Sequence, residues 1–169
     1  IDNKTILSGI VEYSKRYISK YNHIKYRNLK HFKKDKNFYY ELKPDKIVAM
    51  SMAFKRTHEI SKLGFFNEKF TGYGFEDHEF ANRYHQNGFK LMRSKAAIVH
   101  DEGKPNIEMY RKKFYHLGRD GMRNLIKIDN SLAKSTIYYR IERNLLIKYL
   151  YFIPLIDNLL LCIEKIIIN

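Results

Sequence analysis

Between Gly64 and Phe80 the chain combines three kinds of residue that can act together on a hydroxyl group. Gly72 and Gly74 allow a backbone to approach a ligand closely. Tyr73 and Phe75 offer flat aromatic faces of the kind that suit sugar rings. Glu76 and Asp77 bring carboxylates to the mouth of that loop, where a carboxylate can take a proton from a hydroxyl. A short apolar run, residues 96–99, then delivers His100 at its end. Each feature also has an ordinary reading. Acidic residues in a first helical turn are favoured by the helix dipole alone. A histidine at a strand end is more often simply hydrogen-bonded than a ligand.

Asp77, Phe80, Ala81 and Tyr84 recur at helical spacing, which predicts a helix over 76–87 that Gly88 stops. Asp77 then opens the inward stripe, and Glu76 is rotated toward the loop. A stripe that buries Phe80 and Tyr84 does not normally begin with a carboxylate. Upstream, residues 6–13 are rich in β-branched types and read as a strand, with Gly9 at a bulge or close approach. Residues 38–42 read as a small strand and Pro44-Asp45 as a turn. The almost wholly apolar run 47–54 predicts a strand buried on both faces. Thr57 caps a short helix that turns Ile60 and Leu63 inward and ends at Gly64. Downstream, 89–92 and 96–99 read as two strands. Helical spacing over 107–128 is interrupted at Gly118 and Gly121, where a kink or break is expected.

Residues 135–169 form a long helical tract, dense in apolar residues from Leu145 to Ile163 but interrupted by Lys148, Pro154, Asp157 and Asn158. Spanning a bilayer, lying in its interface and packing on protein all stay open for it. The interruptions weigh against spanning, which needs about twenty apolar residues with few charges.

A chain of 169 residues is one domain or a large part of one, and it can bury a core. The single cysteine, Cys162, excludes an internal disulfide and fits a reducing compartment. The net charge is +14, and residues 15–46 hold eleven Lys or Arg against three Asp or Glu. Such a surface favours phosphates, in nucleic acid, lipid headgroups or a nucleotide-sugar. A solvated lysine-rich face is the plain alternative. Tyr17, Tyr21, Tyr26 and Phe32 lie among these basic residues and would suit base stacking, but no nucleic-acid motif accompanies them, so no nucleic-acid partner is expected. The first residue is Ile, and no leader with a cleavage site is read at this end.

The ordered set 53–56, 63–70, 72–79, Arg83, Gly88 and His100 resembles the acceptor half of a GT-A glycosyltransferase of the family 2 type. Within that type it is similar to the domain likened to the C-terminal part of β-1,4-galactosyltransferases. Tyr73 stands where many members have Trp, and His78 where some have a third acid. The resemblance covers residues 47–101. It implies an α/β fold, the acceptor-binding half of a GT-A domain, with a mixed sheet from strands near 6–13, 47–54 and 96–100. Residues 1–106 would be a partial catalytic domain and 107–169 a helical C-terminal extension. It implies inverting sugar transfer with Asp77 as catalytic base. Glu76, Tyr73, Gly74 and Phe75 would bind the acceptor, and His100 would be one ligand of a divalent cation, Mn²⁺ or Mg²⁺. The implied partners are a nucleotide-sugar donor, a UDP-sugar first among them, and a glycan or lipid-linked acceptor. Peripheral membrane contact through 145–168 and a cytoplasmic setting at the inner membrane face, in surface polysaccharide synthesis, go with that reading. The family's nucleotide-binding half, closing on an Asp-x-Asp metal motif, is expected upstream, since Asp2-Asn3 and Asp35-Lys36-Asn37 do not supply it. The rival reading is a non-catalytic glycan- or polyanion-binding module derived from such an enzyme.

Overall fold

The computed structural model describes residues 2–21, 24, 25, 39–101, 107–136, 138–140 and 144. Among them three strands form one mixed sheet: β1 is Thr5–Tyr13, β2 is Met52–Phe54 and β3 is Lys90–His100, in the order β2-β1-β3. β1 runs parallel to β3, from Thr5 opposite Lys90 to Tyr13 opposite His100, and antiparallel to β2. The two strands expected at 89–92 and 96–99 are therefore one strand with an irregularity. Ser8 faces Arg93 and Ile10 faces Ala97, so β3 carries three residues where β1 has only Gly9. The close approach expected at Gly9 is present: a Cβ there would run into Ser51 Oγ and the Ala96 carbonyl.

The run 47–54 departs from expectation. Ala49–Ser51 is a 3-10 turn, and only Met52–Phe54 pairs with β1. Ile47 is buried, but Met50 and Ala53 are exposed, so the run is not covered on both faces. The Ala49 N–H is taken by the Asp77 carboxylate rather than by a ladder partner. The small strand expected at 38–42 reduces to one bridge between Glu41 and Met92, flanked by Leu42 N–H to Leu91 O at 2.6 Å and Arg93 N–H to Tyr40 O at 2.8 Å. Phe38 lies outside the described residues.

Helices α1 (Lys15–Lys20) and α2 (His58–Leu63) precede the main helix α3 (Glu76–Gln86). Thr57 caps α2 as its sequence position predicts, its side chain accepting the Ile60 N–H. At the end of α3, Gly88 N–H bonds His85 O and Phe89 N–H bonds Tyr84 O, with the Tyr84 and Phe89 rings 4.9 Å apart. That is a Schellman stop with its hydrophobic contact. Phe80, Ala81 and Tyr84 of α3 are buried with Ile6, Leu42, Ile47, Ile60, Phe89 and Leu91, so the predicted stripe packs on the sheet.

The predicted 107–128 helix is α4 (Ile107–His116), a π-helical turn at Leu117–Gly121 and α5 (Met122–Ile128), followed by α6 (Asn130–Ser135). The interruption falls at the glycines that predicted it. Met122, Leu125 and Ala133 form a second core with Phe75, so these helices pack on the loop before α3. The Asn82 amide also donates to the Asp129 carboxylate at 3.4 Å. No helix among the described residues is long and apolar enough to cross a membrane. The tract 145–168 lies outside the described residues, as does most of the basic stretch 22–38.

Candidate active site

The sheet's direction gives the site its place. Because β1 and β3 are parallel, their carboxyl ends, Tyr13 and His100, lie side by side. β2 is antiparallel, so its amino end at Met52 points toward that same end, and the turn Ala49–Ser51 continues it past Gly9. Asp77 Oδ2 accepts the Ala49 N–H at 3.1 Å. The carboxylate is thereby fixed on the carboxyl-end side of the parallel pair, where ligands bind in open α/β sheets. Burial pushes the Asp77 pKa above the ordinary aspartate value, and the Ala49 hydrogen bond only partly opposes it.

Glu76, the first residue of α3, holds one carboxylate oxygen, Oε2, buried with no hydrogen-bond partner. Such an orphan acceptor costs on the order of 1–3 kcal/mol, so its persistence calls for a reason. His78 is half-buried against the Phe75 ring, 5.5 Å between centroids, and burial lowers its pKa. It is a neutral imidazole at neutral pH, not a third charge.

The loop before α3 is held from behind. Arg83 donates from Nη1 to Leu63 O at 2.6 Å and Gly64 O at 3.0 Å, and from Nη2 to Phe65 O at 2.6 Å. Its Nε pairs with the buried Glu79 at 2.7 Å. The Tyr84 hydroxyl adds a bond to Gly64 O at 2.7 Å. This clamp was hidden in the sequence: Arg83 and Glu79 are an ordinary i, i+4 pair until the chain folds the 63–65 carbonyls over them. Phe66 stacks on Phe80 at 4.9 Å, which anchors the loop's apolar end.

Of the residues expected to meet a sugar, Tyr73 is 50% exposed. Gly74 adopts φ 104°, a left-handed conformation that only glycine takes cheaply, and lies against Leu117. Phe75 does not fit. It is 3% exposed and packs edge-on to Tyr138 at 5.6 Å within the second core. The αL conformation of Phe75 at the start of α3 turns its ring inward, so it supports the loop rather than facing a ligand.

His100 ends β3 as expected, half-buried, its ring edge-on to Tyr13 at 6.0 Å. Among the described residues no three His, Cys, Asp or Glu side chains cluster as a metal would need. Among the described residues the donor set does not complete a divalent-cation site, and His100 is a single candidate ligand there.

Comparison with known proteins bears on the central part of the chain. A family model described as the N-terminal domain of galactosyltransferase matches residues 27–113, slightly more than half of the chain. No curated protein and no solved structure matches.

Proposed function

The chain belongs to the glycosyltransferase family that this galactosyltransferase model describes, and on that premise we propose that it carries the acceptor side of an inverting transfer from a nucleotide-sugar to a glycan hydroxyl. The observation that carries the reading is the state of Asp77. Its carboxylate is half-buried, pinned through Oδ2 by the Ala49 N–H, and more basic than an ordinary aspartate. Oδ1 is the oxygen left to receive a proton. In the proposed step the acceptor O–H passes its proton to Asp77 and its oxygen forms a bond to the anomeric carbon. The bond from that carbon to the diphosphate oxygen breaks, and the electron pair leaves with the nucleoside diphosphate. Attack from the opposite face inverts the centre.

Glu76 and Tyr73 complete the acceptor side. Glu76 Oε2 is closed to solvent, so Glu76 would meet a sugar hydroxyl through its other carboxylate oxygen, and the exposed Tyr73 offers an apolar platform for a pyranose face. The +14 net charge attracts an anionic donor or anionic headgroups alike, and a lipid-linked or glycan acceptor at a membrane face is the setting this reading favours. His100 enters only as a single candidate ligand for a cation.

Transfer from a panel of UDP- and GDP-sugars to methyl glycosides, with Mn²⁺ present, tests the reading on the wild-type chain and on Asp77→Asn. General-base loss predicts a fall of about 10²–10⁴-fold in transfer with glycoside binding retained. Glycoside binding without transfer, unchanged when the nucleotide-binding half expected upstream is present, would favour a non-catalytic binding module.

A further inference from the structure

The π turn at Leu117–Gly121 lies beyond the residues matched by the family model. In it the Met122 N–H reaches back five residues to Leu117 O. Such turns cost hydrogen-bond geometry and recur at functional positions. Here the turn faces the loop that leads into α3.

The contacts run residue by residue. Asn124 donates from Nδ2 to Thr71 O at 3.0 Å. A Cβ on Gly72 would lie 3.4 Å from Asp120 Cβ. Gly121 is buried, and a Cβ on it would come within 2.6 Å of Tyr73 O and 3.0 Å of Gly74 O. A Cβ on Gly74 would collide with Leu117 Cδ1. The Phe75 ring closes the series, packed against Gly121 and the α5 core. Every loop position from 71 to 75 thus meets this turn or the helix after it, and Glu76 and Asp77 follow directly.

We propose that the π turn is a positioning element for the acceptor: Gly121 and Asn124 set the loop 71–75 and thereby the bearing of Tyr73 and Glu76 on the acceptor sugar. The proposal rests on the acceptor-site reading above. Its physical basis is the tolerance of a bound geometry, in which about 1 Å of displacement can cost 10²-fold. The missing side chain at Gly121 is what allows the Tyr73 and Gly74 carbonyls to seat. Gly118, in the same turn, has nothing within 4 Å of its Cβ position and serves as an internal control.

Saturation-transfer NMR with the methyl glycosides of glucose, N-acetylglucosamine and galactose provides the test. It is run on wild type, Gly121→Ala, Asn124→Ala and Gly118→Ala. Gly121→Ala is expected to weaken glycoside binding about tenfold or more. Asn124→Ala should weaken it about threefold, the size of one net hydrogen bond, and Gly118→Ala should leave it unchanged. Where transfer is measured, the acceptor KM should rise while donor hydrolysis keeps its rate, a split that a general loss of stability would not produce. If wild type binds and both Gly121→Ala and Asn124→Ala bind as well as it does, the positioning role is wrong and the acceptor site stands. If wild type binds no glycoside, the acceptor reading itself fails, and the proposal with it. Should Gly121→Ala not fold, Asn124→Ala decides alone, since its hydrogen bond is solvent-exposed.

Discussion

Asp77 is under opposing demands that pH can separate. Burial raises its pKa and the Ala49 N–H lowers it, with burial prevailing. The native state therefore holds this proton more tightly than the unfolded chain does. Stability falls as pH rises from the ordinary aspartate value, near ~3.9, through the raised native value, and stays lower above it. The same shift makes the carboxylate a better base, so its proposed role and stability pull apart at this residue. Asp77→Asn removes the charge, and its amide oxygen still accepts the Ala49 N–H. Its thermal midpoint at neutral pH should equal or exceed that of wild type, and the difference should vanish below about pH 4. A midpoint clearly below wild type at neutral pH would mean that the ionised carboxylate stabilises the fold instead. How much of this was legible in the sequence is clear at the same residue. The anomaly of a carboxylate opening an apolar stripe was visible, but its partner was not. An Ala49 backbone N–H has no signature in residue types, and it becomes available only because 49–51 leaves the strand.

Helix α3 holds the loop largely through Arg83, with Tyr84 and Phe80 adding to it. Arg83 satisfies three carbonyls of 63–65 and neutralises Glu79, whose side chain is 8% exposed. Arg83→Met would leave that buried charge alone, which typically costs about 3–5 kcal/mol. Pairing it with Glu79→Leu removes both charges and should recover a large part of the loss. Denaturant midpoints of the two variants measure this; a double variant no better than Arg83→Met would show that the carbonyl clamp, not the ion pair, dominates. The local rules served this element well. Its period, its inward face and its Gly88 stop all followed from residue spacing, because each depends on contacts within one turn. The same rules failed at 47–54 and at Phe75. Apolar content there was right, but whether it becomes a covered strand or a supporting ring depends on α5 and on Asp77, which arrive from far along the chain.

At the scale of the molecule, two kinds of ligand would feel this protein differently. On the proposed reading an acceptor glycoside is neutral and would meet the exposed Tyr73 ring. A nucleoside diphosphate is an anion approaching a chain of net charge +14. Neither the parallel pairing of β1 with β3 nor the convergence of Asp77 and His100 on one end of it could be read from spacing, because both are set by strand order rather than by local pattern. Once they are known, they place Asp77 and His100 on the sheet's carboxyl-end side, and charge acts over a longer range. Salt should therefore discriminate between the two ligands. The screening length falls from about 10 Å at 0.1 M to about 3 Å at 1 M ionic strength. Across that range the affinity for UDP, measured by calorimetry with the nucleotide-binding half expected upstream present, should drop several-fold, while methyl-glycoside binding should change by less than about twofold. A salt-insensitive UDP affinity would mean that the diphosphate is held by short-range contacts and not by the basic surface. Equal losses for both ligands would instead indicate that salt acts on the protein as a whole.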